Sequence, residues 1–382
     1  GAVCGGMALM AGPRGEILPL PVAALAESPF SNYFAPGAIL FAVLGLGPLG
    51  AAVCTRRRHP LAPFLLFAAG AALLMWLIVE IAVVGYSNRP PLQAVYLGLG
   101  VVMTSVGVAW MAETRRSPLS VLAAFPLALL LAVASLSGIL FPATYARETA
   151  SWAAQAVGQD WVDLILAGPW LVVTGLLAQR GSPRALLLLA GGFLYTFYTF
   201  AIYGFAVHFN GLFLVYCAGL GLSFFVLAGM ARQAFREQVT RWCAEAAPMR
   251  GVGVLLIIIG SLFAAAWLGE ILPAIAHDAV PTSVAESGVA TNPVHVLDLS
   301  FLLPIHIIVG ISLLRRRSEG YTLAAVVLGF GVLMAAAIAG LTLSMRGSGF
   351  HMSWIVFGAT TILSAAEAAA LALLLRALRP SP

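Results

Sequence analysis

Apolar residues in this chain run in stretches of about twenty, the length of a membrane-crossing helix, and arginine or turn residues separate one stretch from the next. Runs that long and unbroken make helices and not barrel strands. That pattern belongs to helices surrounded by lipid or protein rather than by water. The cuts leave twelve expected helices, near 1–12, 33–54, 61–86, 93–113, 118–141, 160–179, 185–206, 211–231, 251–276, 294–314, 320–344 and 352–375. The first is too short to cross a core of about 30 Å. The chain opens "GAVCGGMALMAG", without Met and already apolar. The expectation is that this helix continues upstream; the remnant of a signal sequence is the other reading.

Sixteen of the twenty arginines fall after an even-numbered helix: Arg56, Arg57 and Arg58; Arg115 and Arg116; Arg180 and Arg184; Arg232, Arg236, Arg241 and Arg250; Arg315, Arg316 and Arg317; Arg376 and Arg379. Arg14, Arg89, Arg147 and Arg346 fall on the other side. Basic loops stay on the cytoplasmic side, so both termini are expected there. The outer loops alternate in length. Those near 13–32, 142–159 and 277–293 are long, and those near 87–92, 207–210 and 345–351 are short. This predicts a four-helix unit used three times in one orientation, over 1–117, 118–250 and 251–382.

Two helices carry the repeat at residue level. "DLILAGP" (Asp163 to Pro169) and "DLSFLLP" (Asp298 to Pro304) share D-L-x4-P, and each Asp stands 17 residues before an arginine, Arg180 or Arg315. Seventeen residues cover about 25 Å of helix. Each acid is therefore expected near the outer interface, in the first turn of its helix, with a proline kink between it and the inner arginine. The helix near 33–54 has Pro48 but no matching acid.

Composition agrees with the pattern. The chain is 61% hydrophobic and 9% charged, with a mean hydropathy of +0.98, far below the roughly one-quarter charged residues that cover a soluble domain. The expected class is an all-α polytopic membrane bundle. The pI of 9.3 comes from arginines scattered through loops, so no nucleic-acid partner is expected. The absence of lysine excludes a Schiff-base cofactor. Cys4, Cys54, Cys217 and Cys243 form no CxxC spacing, so no zinc or haem-attachment motif is present.

"SPFSNYFAPGAILFAVLGLGPL" followed by "RRRHPLAPFLLFAAGAALLMWLIVEIAVVGY" resembles a widespread set of small, uncharacterised bacterial four-helix membrane proteins. "NPVHVLDLSFLLP" and "FNGLFLVYCAGLGLSFFVL" resemble a second bacterial membrane-protein group. Together they cover most of the chain. The resemblance implies a multi-pass protein of the bacterial inner membrane and brings no activity or catalytic residues.

Candidate chemistry is sparse. Asp163 and Asp298 read as interfacial acids at helix N-termini or as an ion or solute site. His208, His277, His295 and His351 fall on the outer side, and His277, Asp278, His295 and Asp298 are candidate metal ligands, although no compact His spacing supports them. Glu80, Glu367 and the lone mid-helix His306 are candidates for proton-coupled transport; the plainer reading is interhelical hydrogen bonding. "FLYTFYTFAIYGFAVHFN" carries aromatics along its whole length. It reads as core packing, or as a groove in which Tyr195, Tyr198, Tyr203 and His208 meet an isoprenoid, quinone or pigment. "RQAFREQVTRWCAEAAPMR" predicts a basic helix lying on anionic lipid.

The reading that best fits is a non-enzymatic accessory or scaffold subunit packing against lipids and partner membrane proteins, with bound lipid and no cofactor. A secondary transporter is the alternative, and a long-chain ligand binder the third. No nucleophile–base set, phosphate loop or metal motif points to an enzyme.

Overall fold

The computed structural model describes residues 1–25, 30–85, 92–115, 119–236 and 249–377. All regular structure among them is helical. The long helices are α1 (Ala2–Ala11), α2 (Phe34–Arg56), α3 (Ala62–Val84), α4 (Leu92–Arg115), α5 (Ala124–Leu140), α6 (Ala150–Gln179), α7 (Pro183–Ala206), α8 (Phe213–Arg236), α9 (Arg250–Ala276), α10 (Pro293–Leu314), α11 (Ser318–Gly347) and α12 (Trp354–Ala377). Ten of them are long and apolar enough to cross a membrane; α1 and α5 are apolar but shorter. The chain forms two compact bodies, Gly1–Pro118 and Leu119–Pro382. The second holds both of the four-helix units expected after residue 117.

Two boundaries differ from the sequence reading. The stretch 118–141 is split into Leu119–Leu122 and α5, because Pro126 has no N–H for the Leu122 carbonyl. The long loop expected over 142–159 is mostly structured. A 3-10 turn, Pro142–Tyr145, is followed by the first turns of α6. Thr149 caps that helix, its hydroxyl accepting from the Trp152 N–H at 3.2 Å, and the alanine-rich run beyond it propagates well. The basic segment 232–250 lies largely outside the described residues, as do Arg89, Arg116, Arg241 and Arg379.

Three helices share an unusual build. A π-helical segment occupies Leu40–Leu46 in α2, Asp163–Ala167 in α6 and Asp298–Leu302 in α10. Each ends two residues before a proline: Pro48, Pro169 or Pro304. The proline ring would strike the carbonyl four residues back, at Leu44, Ile165 or Ser300, and offers it no N–H. The wider π turn relieves that clash and gives the expected kink its physical form. All three helices also end alike. Arg57, Arg180 and Arg315 are followed by a left-handed residue, Arg58 (φ 52°), Gly181 (φ 81°) or Arg316 (φ 56°). The next N–H then bonds back across the last turn, from His59 to Cys54 O, Ser182 to Leu177 O and Arg317 to Ser312 O.

In the Leu119–Pro382 body, α7 and α11 are the interior helices, each about two-thirds buried over its most apolar window. They touch at Gly191 and Gly329, where a Cβ on Gly191 would meet Val326 O and the Gly329 backbone. Close approach of that kind requires glycine. Around them pack α6, α8, α10 and α12. Leu127, Leu131, Leu171, Leu189, Phe193, Phe200 and Leu333 fill the core without exposure.

Candidate functional site

The interior of the Leu119–Pro382 body contains a connected group of carboxyls and tyrosines. Early initiation of α6 creates it. Because the helix starts at Ala150 and not near 160, Asp163 is the fourteenth residue of a 30-residue helix. This corrects the expectation of a first-turn interfacial acid for Asp163. About 20 Å of helix precedes it. Asp160, one turn earlier, points to the same side. Neither is exposed (0%).

α7 supplies hydroxyls at matching heights. Tyr195 donates to Asp163 Oδ1 at 2.6 Å, and Gln159 Nε2 donates to the same oxygen at 3.2 Å and to the Tyr195 hydroxyl. Tyr203, two turns along, donates to Asp160 Oδ1 at 2.7 Å. The 3-10 turn before α6 brings in Tyr145, which donates to Asp160 Oδ2 at 2.8 Å. Burial pushes the Tyr145 hydroxyl well above the ordinary tyrosine range, and the nearby Asp160 adds to the rise, so this group remains a donor at any ordinary pH. Gly138 in α5 makes the space: a Cβ there would collide with Asp160 Oδ2 and the Tyr145 ring. Among the described residues no salt bridge reaches Asp160 or Asp163. Hydroxyl and amide dipoles take the place of a countercharge.

The turn that carries Tyr145 is tied down from its far side. Arg147 donates to Phe209 O at 2.6 Å, and Asn210 Nδ2 donates to Thr144 O at 3.2 Å. Glu148 accepts from the His208 backbone at 2.8 Å and lies 2.9 Å from its Nδ1. Asn210 also reaches the Tyr216 hydroxyl at 3.3 Å, and the Tyr216 ring packs 5.3 Å from that of Tyr203.

Asp298 has its own set of partners. Tyr198 donates to Oδ1 at 3.0 Å and Trp267 Nε1 donates to Oδ2 at 2.8 Å. His306 lies deeper in α10, with Nδ1 2.7 Å from Leu302 O and its ring edge-on to Phe330 at 6.4 Å. Seated against a backbone carbonyl and an aromatic ring, it is a packed core histidine.

The other candidates are dispersed. His295 packs against Trp267 with ring centroids 4.7 Å apart and the planes tilted, and its Nε2 lies 3.6 Å from Glu270 Oε2. His277 and Asp278 sit in the exposed turn after α9, Asp278 at φ 48°. The set His277, Asp278, His295 and Asp298 is therefore not brought together, and among the described residues no three His, Cys, Asp or Glu side chains converge as metal ligands. In the Gly1–Pro118 body, Glu80 accepts from Trp76 Nε1 at 2.8 Å and Gln93 Nε2 at 3.1 Å. Glu367 in α12 is buried over Gly331, where a Cβ would strike its carboxyl, and its Oε2 has no partner. Tyr195, Tyr198 and Tyr203 fill the core rather than line an open groove.

Asp160, Gln159, Tyr145 and Trp267 were not anticipated. The signal for the first two was Q-D-x-x-D at 159–163 downstream of the Thr149 cap, which together imply a helix with two acids on one side. No known protein family, curated protein or solved structure matches this chain.

Proposed function

We propose that this chain is a non-enzymatic, multi-pass protein of the bacterial inner membrane that serves as an accessory or scaffold subunit, packing against lipids and partner membrane proteins. The observation that carries this reading is the build of the Leu119–Pro382 body. Its central helices are closed by backbone-close glycine contacts, and most interior polar groups bond one another. Its outward faces are strongly apolar, as at Leu214 (77% exposed) and Phe225 (72%) on α8 and Ile355 (80%) on α12. Such faces suit lipid or another membrane helix. The test is isolation from native membranes in mild detergent. A defined-stoichiometry complex that re-forms from its purified components is expected. A lone monomer that takes up a solute in proteoliposomes, with uptake lost in Glu80→Gln or Glu367→Gln, would replace this reading with secondary transport.

The same reading takes the chain as three parallel four-helix units, 1–117, 118–250 and 251–382, with both termini cytoplasmic. Its support is the recurrence in α2, α6 and α10 of a π segment, a proline two residues on, and a left-handed turn after an arginine. Cysteine labelling in a cysteine-free background tests the orientation. Ser182→Cys is expected to react only after permeabilisation, and Ser348→Cys in intact cells.

A further inference from the structure

We propose that the cluster around Asp160 and Asp163 is a binding site for one monovalent cation, taken up as sodium or as a proton. This stands apart from the scaffold reading, since a scaffold and a transporter can each hold such an ion.

The acids alone do not carry the inference; the unfilled oxygens around them do. Asp163 Oδ2 is buried with no hydrogen-bond partner. So are the hydroxyls of Ser135 on α5 and Thr199 on α7. Ser135 faces Asp160 and Thr199 faces Tyr195, each short of a formed hydrogen bond. Asp163 Oδ2 is thus left open, and two hydroxyls from α5 and α7 lie against the same cluster without a fully formed hydrogen bond, inside a core whose other polar atoms are largely paired. Unpaired buried polar atoms are costly and call for a partner.

The other buried or half-buried acids show that this is not the general condition. Both oxygens of Asp298 and both of Glu80 are filled by Trp, Tyr or Gln donors. Glu367 has one open oxygen but no open hydroxyl beside it among the described residues.

The donor set defines the ligand. Two carboxyls, the hydroxyls of Tyr145, Tyr195, Tyr203, Ser135 and Thr199, and the Gln159 amide are hard groups that suit a small hard cation or a proton. With a donor on each oxygen of Asp160 and one carboxylate oxygen open, Asp163 Oδ2, a single charge is the fit. No thiol or imidazole belongs to the cluster, so a soft transition metal has nothing to hold it. No arginine or histidine reaches the two acids among the described residues, so the chain offers them only hydroxyl and amide dipoles, and a full positive charge there comes from outside it. The titratable groups facing the pair are Tyr145 from the turn before α6, Tyr195 and Tyr203 from α7, and Tyr216 behind Tyr203.

The experiment is thermal unfolding of the full chain in detergent at constant ionic strength. Sodium is exchanged for potassium or choline between pH 5.5 and 8.5, in wild type, Asp163→Asn and Tyr195→Phe. A sodium site raises the wild-type midpoint with sodium at fixed pH. A proton site raises it as pH falls, whatever the salt. Asp163→Asn removes the charge to be neutralised, so its midpoint is expected to match or exceed the ion-free wild type, with the response gone. Tyr195→Phe keeps both acids and is expected to weaken the apparent affinity about tenfold. If Asp163→Asn does not fold, Tyr195→Phe and Ser135→Ala carry the comparison. A wild-type midpoint indifferent to both sodium and pH, or a response undiminished in all the variants, overturns the proposal.

Discussion

Asp163 and Asp298 occupy the same motif, D-L-x4-P, at the head of the same π segment, yet they end in different surroundings. Asp298 is the sixth residue of α10, half-buried, with a donor on each oxygen. Asp163 lies near the middle of α6, fully buried, with both its hydrogen bonds on one oxygen and the other oxygen open. The motif governs the backbone, because the proline creates the wide turn in both helices. What stands upstream governs the acid. α6 carries thirteen residues ahead of Asp163, and α10 carries five ahead of Asp298. The same local chemistry thus yields a closed acid at one helix end and an open one in the middle of another.

The most damaging way to break this difference is to fill the space beneath Asp160. Gly138→Ala places a methyl group against a carboxyl already fixed by Tyr145 and Tyr203, so the side chain has nowhere to turn. A loss of about 3 kcal/mol is expected, read as a lowered unfolding midpoint in detergent. No change would mean that the cluster is looser than its hydrogen bonds imply.

Removing the prolines has a smaller, graded effect. Pro169→Ala returns an N–H to the Ile165 carbonyl and lets the turn tighten, which swings Asp163 away from Tyr195. Leaving that carboxyl without its donor costs about 1–3 kcal/mol. Pro304→Ala disturbs an acid that is only half-buried and has a donor on each oxygen, and should cost less. If the two variants lose equal stability, the proline rather than the acid's surroundings determines the price of moving it.

Much of this architecture was legible from sequence, and the exceptions have a common physical cause. Apolar runs located the helices, and prolines marked where they would bend, because both depend on residues close in sequence. The start of α6 was hidden. "ASWAAQAVGQDWV" mixes Gln, Ser and Asp into alanine and looks like a loop, although several of those polar groups face protein rather than water. The candidate site was legible only in pieces. Asp163 and Tyr195 stood out singly, but they meet through a contact 32 residues apart, and Tyr198 reaches Asp298 across 100 residues. No periodicity encodes such pairings. Gln159 closed the supposed loop, Asp160 stood at the first residue of the helix expected after it, and Tyr145 lay near the loop's start.

The finest test compares two tyrosines one turn apart on α7. Tyr195→Phe removes the hydroxyl that serves Asp163 and also accepts from Gln159. Asp163 is fully buried, so the lost donor is not replaced there, while Gln159 is half-buried; about 1–2 kcal/mol should be lost. Tyr198→Phe removes one donor from Asp298, which keeps Trp267 on its other oxygen and is only half-buried. About 0.5 kcal/mol is expected there. The prediction concerns the ordering rather than the absolute losses, since both substitutions delete the same atom from the same helix. Unfolding midpoints for the two variants, measured side by side, decide it. A larger loss for Tyr198→Phe would show that Asp298 depends on its protein donors after all, and that depth along the helix does not separate the two acids.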